Sequence, residues 1–394
     1  MIDSNERNTD NGQLEWIESV SNELVEQLRA DIVKSGESLE PITPSEALDE
    51  FIDEKERSDE LAEATILSYK SRLKFFIKWC SANNIGDMND VTGRQLQAYR
   101  MWREEGLSIK SKNTQQKTLR QFIRFCGTIE AVPTDLWKKV KVPSVNKEDE
   151  VRDEQVTGER AEEILSYLSK YHYASREHVV WMLLLEGGHR RGTIHALDKD
   201  DYYPDAEVPC LDLRHRPEEG TPLKNGDASE RKVSISPDVC EVLDDYIADR
   251  RIEVADEHGR EPLITSSLGR LSKSTIQKYI YKWTRPCATS GKCPHGKTVE
   301  ECSAAQNVDE ASKCPSSRSS HPVRRGYITH CLSKGVQTEV LTGRCDVTRN
   351  TLEKHYDART EEEKMKLRNQ ILGEVLGNGS RFGESGSTAR PTSD

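Results

Sequence analysis

Residues 319–336, SSHPVRRGYITHCLSKGV, place two histidines and two adjacent arginines on what reads as one short helix. Pro322 suits the first turn of a helix, so His321 stands at its start and Arg324 one turn further on. These two side chains can therefore face one ligand, and an imidazole beside a guanidinium suits an anion such as a phosphate. His330 comes nine residues after His321. At about 100° per residue it lies roughly half a turn round the helix, which predicts a structural role.

Two further stretches carry residue types that suit phosphate chemistry. In LLEGGHRRGTIHALDKDD a hydrophobic helix runs into a Gly-Gly turn and then Arg190. In TLEKHYDART, Tyr356 sits in a predicted polar C-terminal helix. Each residue alone also fits a structural role, Arg190 as an ion-pair partner and Tyr356 as a packed aromatic. Their combination with the His321–Arg324 pair favours chemistry on a phosphate.

The order and spacing of these residues resemble the tyrosine recombinase (phage integrase) family. A glycine turn, an arginine and a leucine seven residues later match that family's first arginine motif, and a His-x-x-Arg box with its following aromatic, Thr-His pair and leucine matches its second. The resemblance extends over about residues 45–370. The matching positions are Gly187, Arg190, Leu197, Lys224, His321, Arg324, Tyr327, Thr329, His330, Leu332 and Tyr356.

The resemblance implies cleavage and rejoining of duplex DNA through a 3′-phosphotyrosine made by Tyr356. Phosphate chemistry independently gives each residue a task. Arg190 and Arg324 would stabilise the charge that spreads over the phosphoryl oxygens, and His321 would accept the tyrosine proton. Lys224, matching the family's β-hairpin lysine, would protonate the departing 5′-oxygen. Because the phosphotyrosine conserves the bond energy, no cofactor is expected for catalysis.

The chain departs from the family ahead of the tyrosine, in LTGRCDVTRNTLEKHY. Arg344 stands where the family has a second histidine, and a guanidinium there could also bind a phosphoryl oxygen. His355 is a poor replacement because neighbours on a helix diverge by about 100°. Lys232 competes with Lys224 as the hairpin lysine. The departure leaves open a non-catalytic DNA-binding or regulatory protein that keeps the fold, and more weakly a type IB topoisomerase-like relaxing activity.

A second departure is a cysteine-rich insert just before the His-x-x-Arg box. The chain has ten cysteines and no secretory signal, which favours reduced thiols or metal ligands over disulfides. A long loop with little apolar content needs something to fold it, and tetrahedral zinc would do so. The spacing lacks paired C-x-x-C knuckles, so free thiols are the alternative. The predicted ligands are Cys287, Cys293, Cys302 and Cys314, with His295 close by.

Charge is unevenly distributed along this acidic chain, whose formal net charge is −11. Residues 65–147 carry +10, whereas residues 1–64 carry −14. A local basic patch, rather than the total, sets attraction to a phosphate backbone. In NTQQKTLRQFIRFCGTI, the basic residues Lys117, Arg120 and Arg124 share one helical face, opposite an apolar stripe. We predict DNA contacts for these three, with a solvated helix face as the alternative.

These patterns predict a mainly α fold with a small antiparallel β-sheet: a helical core-binding domain followed by an α+β tyrosine-recombinase catalytic domain. The expected divisions are an acidic tail with one helix at 1–44, the core-binding domain at 45–140, a linker at 141–157, the catalytic domain at 158–372 with the insert at 287–314, and a disordered tail at 373–394. The expected partner is double-stranded DNA, bound by a homo-multimer (tetramer). The longest apolar run, 179–185, is too short to cross a bilayer, so no membrane partner and a cytoplasmic location are expected.

Overall fold

A computed structural model of the chain describes residues 39–58, 61, 63–146, 154–357 and 359–376. These residues form two compact units, one within residues 1–150 and the other within residues 151–394. In the described part of the chain, no helix is both long and apolar enough to cross a membrane. The predicted N-terminal helix at 14–32, the centre of the predicted linker and the last eighteen residues lie outside the described ranges.

The described residues of the first unit form four α-helices around an aromatic core. The helices are α1 (Pro44–Ser58), α2 (Glu63–Ala82), α3 (Gly93–Glu104) and α4 (Ile109–Thr128). Thr92 begins α3 with a capping box closed by Gln95, which satisfies two backbone donors at the helix start. Phe51, Phe76 and Phe122 are fully buried and pack edge to face, joining α1, α2 and α4.

The second unit has eleven helices and two small sheets in the described residues. The helices are α5 (Gly158–Tyr171), α6 (Arg176–Gly187), α7 (Arg191–Ala196), α8 (Pro237–Asp245), α9 (Lys273–Thr284), α10 (Pro286–Ser290), α11 (Ser303–Gln306), α12 (Ser320–Ser333), α13 (Thr338–Cys345), α14 (Arg349–His355) and α15 (Glu361–Leu376). The strands are β1 (Tyr202–Tyr203), β2 (Cys210–Leu213), β3 (Arg231–Ser234), β4 (Thr265–Ser266) and β5 (Gly269–Arg270).

Helix α6 and the three-stranded sheet both contribute buried side chains to this unit's core. The sheet is antiparallel in the order β1-β2-β3, and Leu211 of β2 pairs with Val233 of β3, both buried. Ser236 and Pro237 begin α8, as the sequence predicts. The Ser236 hydroxyl donates to the Glu186 carboxylate and its N–H to the same group, which ties the end of β3 to α6.

The predicted fold class is confirmed: a helical unit precedes a helical unit with a small antiparallel sheet. At the C-terminus the helical order exceeds the prediction, since α15 continues to Leu376, four residues into the segment expected to be disordered. The predicted buried stripe of α4 is confirmed as well, because Leu119, Phe122, Ile123 and Cys126 are all buried.

Candidate active site

Arg324 lies at the centre of a cluster of cations in the second unit. It stands in the second turn of α12, where its side chain is 2% exposed. Its guanidinium donates to the backbone carbonyls of Gly188 (2.7 Å) and Cys345 (2.5 Å), which hold its plane in place. Burial, with the nearby charge of Arg190, lowers its pKa, yet a guanidinium stays protonated in proteins. The buried Nε finds no acceptor among the described residues.

A Gly-Gly turn delivers Arg190 to the same place. Gly188 ends α6 in the left-handed region (φ +57°), and a Cβ there would come within 2.4 Å of the Tyr327 ring, so only glycine fits. Arg190 then precedes α7 as its N-cap residue. Its guanidinium donates to a carboxylate oxygen of Asp346 at 2.5 Å and to the Asp346 backbone carbonyl at 2.7 Å.

Asp346 is the anion that the cations surround, and the sequence reasoning did not select it. It follows α13 with φ +51°, a conformation that aspartate tolerates better than most residues. Besides Arg190, its carboxylate accepts from the Ser229 hydroxyl (2.7 Å) and the Asn225 amide (3.0 Å). Burial alone would raise its pKa, but these hydrogen bonds and the Arg190 charge outweigh burial and lower it. The group is therefore an ionised carboxylate at neutral pH.

The connection between β2 and β3 reaches the site through Asn225. Lys224, the residue before it, is exposed at the edge of the site. Lys232, its competitor, is directed elsewhere, with its ammonium 5.1 Å from the ring centre of Tyr203. Since side chains alternate along a strand, the neighbouring Arg231 takes the opposite face of β3.

Arg231 is a further cation that the sequence reasoning missed. It is half-buried and donates to the backbone carbonyls of Ser229 (2.6 Å) and Arg344 (3.0 Å). Burial lowers its pKa, and the charge of Asp346 opposes that shift. Its position could have been found from the alternating pattern of RKVSIS, which groups it with the buried Val233.

Tyr356 meets Arg324 at the inner side of this cluster. Its ring centre is 5.7 Å from the Arg324 guanidinium carbon, and Tyr356 is among the groups that oppose the lowering of the Arg324 pKa by burial. The predicted helix ends one residue before Tyr356, and although its segment is polar in sequence the side chain packs, 8% exposed, in a small apolar cluster between α12, α13 and α14. The Thr329 hydroxyl donates to its backbone carbonyl at 2.7 Å. Polar neighbours in sequence concealed this burial because only one face of the short α14 is apolar.

Arg344 lies on α13 with its donors directed to protein acceptors. Its Nε donates to the Tyr327 hydroxyl (3.0 Å), one terminal nitrogen to the Ser234 hydroxyl (3.1 Å), and the other to the backbone carbonyls of Glu186 and Ser234 (2.9 Å each). It is also paired with the Glu186 carboxylate at 3.5 Å. Arg344 therefore joins α6, β3, α12 and α13.

Two histidines lie close to the cluster in sequence but in different environments. His321 is exposed in the first turn of α12, one turn before Arg324. His189, directly before Arg190, is fully buried, and neither ring nitrogen has a hydrogen-bond partner among the described residues. Burial, reinforced by the charges of Arg231, Arg344 and Arg324, lowers the pKa of His189 to about 3, so its imidazole is neutral.

The three basic side chains on the predicted DNA-binding face of α4, in the first unit, differ in what they contact. Lys117 is exposed. Arg120 donates twice to the backbone carbonyl of Val140, at 2.6 and 3.2 Å, and the exposed Arg124 stacks its guanidinium 5.6 Å from the Trp137 ring centre. Two of the three predicted DNA-binding residues thus also hold the segment that follows α4.

The insert before α12 brings its four cysteines around one cavity of about 300 Å³, which His295 also lines. None of the ten cysteines is in a disulfide. Within the described ranges, no three His, Cys, Asp or Glu side chains already stand in positions that could hold a metal ion. The sequence prediction of zinc ligands at Cys287, Cys293, Cys302 and Cys314 therefore stays a prediction.

Residues 48–127 match the family described as phage integrase, N-terminal SAM-like domain. The N-terminal domain of a phage integrase/site-specific recombinase from Haloarcula marismortui is 30% identical, with 26% of this chain and 99% of that domain covered (TM-score 0.26). A Tn1549 transposon integrase in complex with a circular intermediate DNA is 14% identical over 84% of this chain and 99% of the other (TM-score 0.57). A lambda integrase tetramer bound to a Holliday junction is 14% identical over 82% and 85% (TM-score 0.54). No curated protein shows significant sequence similarity to the chain.

Proposed function

The chain belongs to the tyrosine recombinase family, and we propose that it is a site-specific recombinase or integrase that cleaves and rejoins duplex DNA through a 3′-phosphotyrosine. The observation that carries the proposal is the meeting of Tyr356 with Arg324. The tyrosine ring lies beside a buried guanidinium, 5.7 Å from its central carbon, and the Nε of that guanidinium has no acceptor among the described residues. A buried donor without an acceptor is costly, and a phosphoryl oxygen would satisfy it.

The surroundings of Asp346 support an anion at this place. Arg190 binds the Asp346 carboxylate, and both Arg190 and Arg324 donate to the Asp346 backbone carbonyl, at 2.7 and 3.4 Å. The two guanidinium groups therefore converge on one point. Because carboxylate and phosphate take similar paired hydrogen bonds from arginine, a scissile phosphate could take the carboxylate's place on Arg190.

The reaction assigns one step to each group. The Tyr356 oxygen attacks phosphorus, the bond from phosphorus to the 5′-oxygen breaks, and the new phosphotyrosine holds the 3′ side of the strand. Arg190 and Arg324 stabilise the charge on the phosphoryl oxygens. His321 accepts the tyrosine proton, and Lys224 protonates the leaving 5′-oxygen. Attack by a 5′-hydroxyl of the exchanged strand reverses these steps and releases the tyrosine.

Duplex DNA and a second copy of the chain are the proposed partners. The Tn1549 integrase was solved with a circular intermediate DNA and lambda integrase as a tetramer on a Holliday junction. By analogy, we propose that this chain binds DNA as a homo-tetramer. The +10 charge of residues 65–147 supports DNA contacts from the first unit.

A non-catalytic DNA-binding or regulatory protein is the second candidate. Two observations favour it. Arg344 replaces the family's second histidine and donates its hydrogen bonds to protein acceptors. The guanidinium of Arg190 is already hydrogen-bonded to the carboxylate of Asp346. The two candidates differ in that only the recombinase forms a covalent bond to DNA.

The experiment first selects DNA that the protein binds from a random-sequence library. The selected DNA is then nicked near the cleavage position, so that the covalent intermediate is trapped. Loss of the short fragment removes the 5′-hydroxyl needed for rejoining, so a covalent protein–DNA adduct should accumulate with wild-type protein. Tyr356→Phe should abolish the adduct and keep DNA binding. Tyr171→Phe, the same change at an exposed tyrosine of α5, is the matched control and should keep both. Tight binding without an adduct on any nicked substrate would exclude the recombinase and leave the regulatory protein.

A further inference from the structure

The insert between α9 and α12 has almost no apolar core of its own. Its residues, 286–318, are all described, and they form two short helices, a 3-10 helix at Val308–Lys313 and turns. Only two of its apolar side chains are buried, and both are alanines, Ala304 and Ala311. At about 25 cal/mol per Å² of apolar surface, the burial of two methyl groups cannot offset the conformational entropy lost when residues 286–318 are ordered. Something besides hydrophobic burial must hold this segment in one conformation.

Four cysteines surround the cavity at the middle of the insert. They come from four separated positions: Cys287 in α10, Cys293 in the following loop, Cys302 directly before α11, and Cys314 directly after the 3-10 helix. All four are half-buried and none is in a disulfide. Four separate backbone segments thus each bring a cysteine to the wall of one cavity.

The backbone fixes two of these cysteines in tight turns. The Cys293 carbonyl accepts a hydrogen bond from the N–H of Gly296, whose φ of +68° is a conformation that glycine adopts without steric strain. The Cys314 carbonyl accepts a hydrogen bond from the N–H of Ser317 at 2.9 Å. A proline follows each cysteine and fixes the next φ angle. The turns hold their sulfur atoms at defined positions on the cavity wall.

The charge around the cavity matches a metal–thiolate centre. Three cations, Arg285, Lys297 and Lys313, line the same space. One divalent ion with four thiolates would carry a net charge of −2, which Arg285 and the exposed Lys297 would offset; Lys313 is already paired with Glu310 at 3.0 Å.

We propose that Cys287, Cys293, Cys302 and Cys314 bind one structural zinc ion in a tetrahedral tetrathiolate site. Zinc takes four thiolates at about 2.3 Å, and its binding energy would replace the missing apolar core. The sulfur atoms stand around the cavity rather than against one another, so binding requires the thiols to turn inward. His295 stays outside the ligand set, since its Nε2 is hydrogen-bonded to the Ser316 hydroxyl at 2.9 Å.

The site would position the start of the helix that carries Arg324. At the end of the insert, the Arg318 N–H donates to the Thr284 hydroxyl (2.8 Å) and the Ser317 hydroxyl to the Tyr281 carbonyl (3.0 Å). These bonds fasten the insert to α9 two residues before α12 begins. Zinc thus orders the approach to the His-x-x-Arg helix without touching the reacting atoms.

The test measures metal on full-length protein purified without chelator, in the absence of DNA, so that its result is independent of the proposed recombinase activity. Elemental analysis should find one zinc per chain. The double variant Cys293→Ser, Cys302→Ser should lose it, whereas Cys240→Ser, a half-buried thiol in α8, and His295→Ala should keep it. Protein reconstituted with Co²⁺ should show the strong sulfur-to-metal charge-transfer and d–d absorption of tetrahedral thiolate coordination.

Three results would overturn the proposal. A folded wild-type protein without metal excludes the site, and fewer than the ten thiols of the sequence in that protein would assign the cysteines to disulfides instead. Zinc that survives the double substitution lies elsewhere. Loss of zinc in His295→Ala would replace the tetrathiolate set by one containing histidine. Because a destabilised double variant could lose metal by unfolding, mercurial titration of wild-type thiols should release zinc with the modification of four cysteines.

Discussion

Replacing Arg344 by alanine separates a structural arginine from one that binds the scissile phosphate. The family resemblance places Arg344 where a second histidine would contact the phosphoryl group, but the structure directs its four hydrogen bonds to Tyr327, Ser234 and Glu186. Arg344→Ala is therefore expected to reduce stability substantially and catalysis only modestly.

The size of the stability loss follows from those four bonds. A hydrogen bond to a charged group contributes about 1.5–3 kcal/mol when fully buried. The Arg344 side chain is 20% exposed, so water can reach part of the space left by the truncation and solvate the Glu186 and Ser234 carbonyls. At about 0.5–1 kcal/mol for each of the four bonds, the free energy of unfolding should fall by about 2–4 kcal/mol. For a unit of this size that corresponds to a fall of about 4–16 °C in Tm.

The two measurements are thermal unfolding and single-turnover cleavage of a nicked substrate. Cleavage is measured at a temperature well below the unfolding transitions of wild-type protein and of the variant. Arg190→Ala should reduce cleavage by about 10²–10³-fold, as expected when a preorganised donor to a developing anion is removed. Arg344→Ala should reduce it by less than about tenfold. Arg349→Ala is the matched control, because that arginine is exposed and its ion pairs with Glu339 and Glu353 contribute little.

An unchanged Tm together with a cleavage loss equal to that of Arg190→Ala would refute this reasoning. Arg344 would then have to leave its protein acceptors when DNA binds and take over the role of the family's histidine. A fall in Tm with nearly normal cleavage would establish that the hydrogen bonds seen in the structure persist in the complex.

Two further outcomes test the electrostatics of each unit. Burial lowers the pKa of His178 to about 4, so the unfolded chain takes up this proton near pH 6.5 and the folded chain only near pH 4. Stability from this group is complete above about pH 6.5 and is lost toward pH 4, by up to about 1.4 kcal/mol per pH unit. Chemical denaturation at several pH values should show a shallower acid decline in His178→Gln, and an unchanged decline would contradict the burial argument. In the first unit, Lys117→Glu should reduce the slope of log Kd against log salt concentration by about one, whereas Lys170→Glu on α5 should leave it unchanged. The slopes are measured by fluorescence-anisotropy titration. An equal slope for Lys117→Glu and wild-type protein would exclude Lys117 from the DNA contacts.

The fold could be predicted from sequence because its signals are local. The stripe of Leu119, Phe122, Ile123 and Cys126 has helical spacing, and all four side chains are buried. Ser236 and Pro237 mark the start of a helix for stereochemical reasons that hold in any context. Such patterns depend on neighbours within a few residues, and the chain's tertiary structure does not override them here.

The site could be predicted only in part because its geometry is non-local. Arg190 and Arg324 were selected by motif, and the structure brings them together on the carbonyl of Asp346. Asp346 itself carries no motif, since its role depends on a left-handed turn and on a hydroxyl 117 residues away in sequence, that of Ser229. Tyr356 was selected from a segment that is polar in sequence, and its burial could not be foreseen because the apolar residues that cover it come from α12 and α13.

The hydrogen bonds of Arg324 argue for a substrate and not merely for a structural charge. A buried guanidinium is stable only when its donors find acceptors, and two backbone carbonyls satisfy its terminal nitrogens. Its Nε finds no acceptor within the described ranges, but the same holds for Arg160, whose terminal nitrogens donate to protein acceptors, so the Nε alone does not distinguish the two roles. What distinguishes Arg324 is that the carbonyls hold its guanidinium plane rigid beside the Tyr356 ring. Rigidity of this kind allows a donor to stabilise a transition state without reorganising, which fits a group that binds a phosphoryl oxygen.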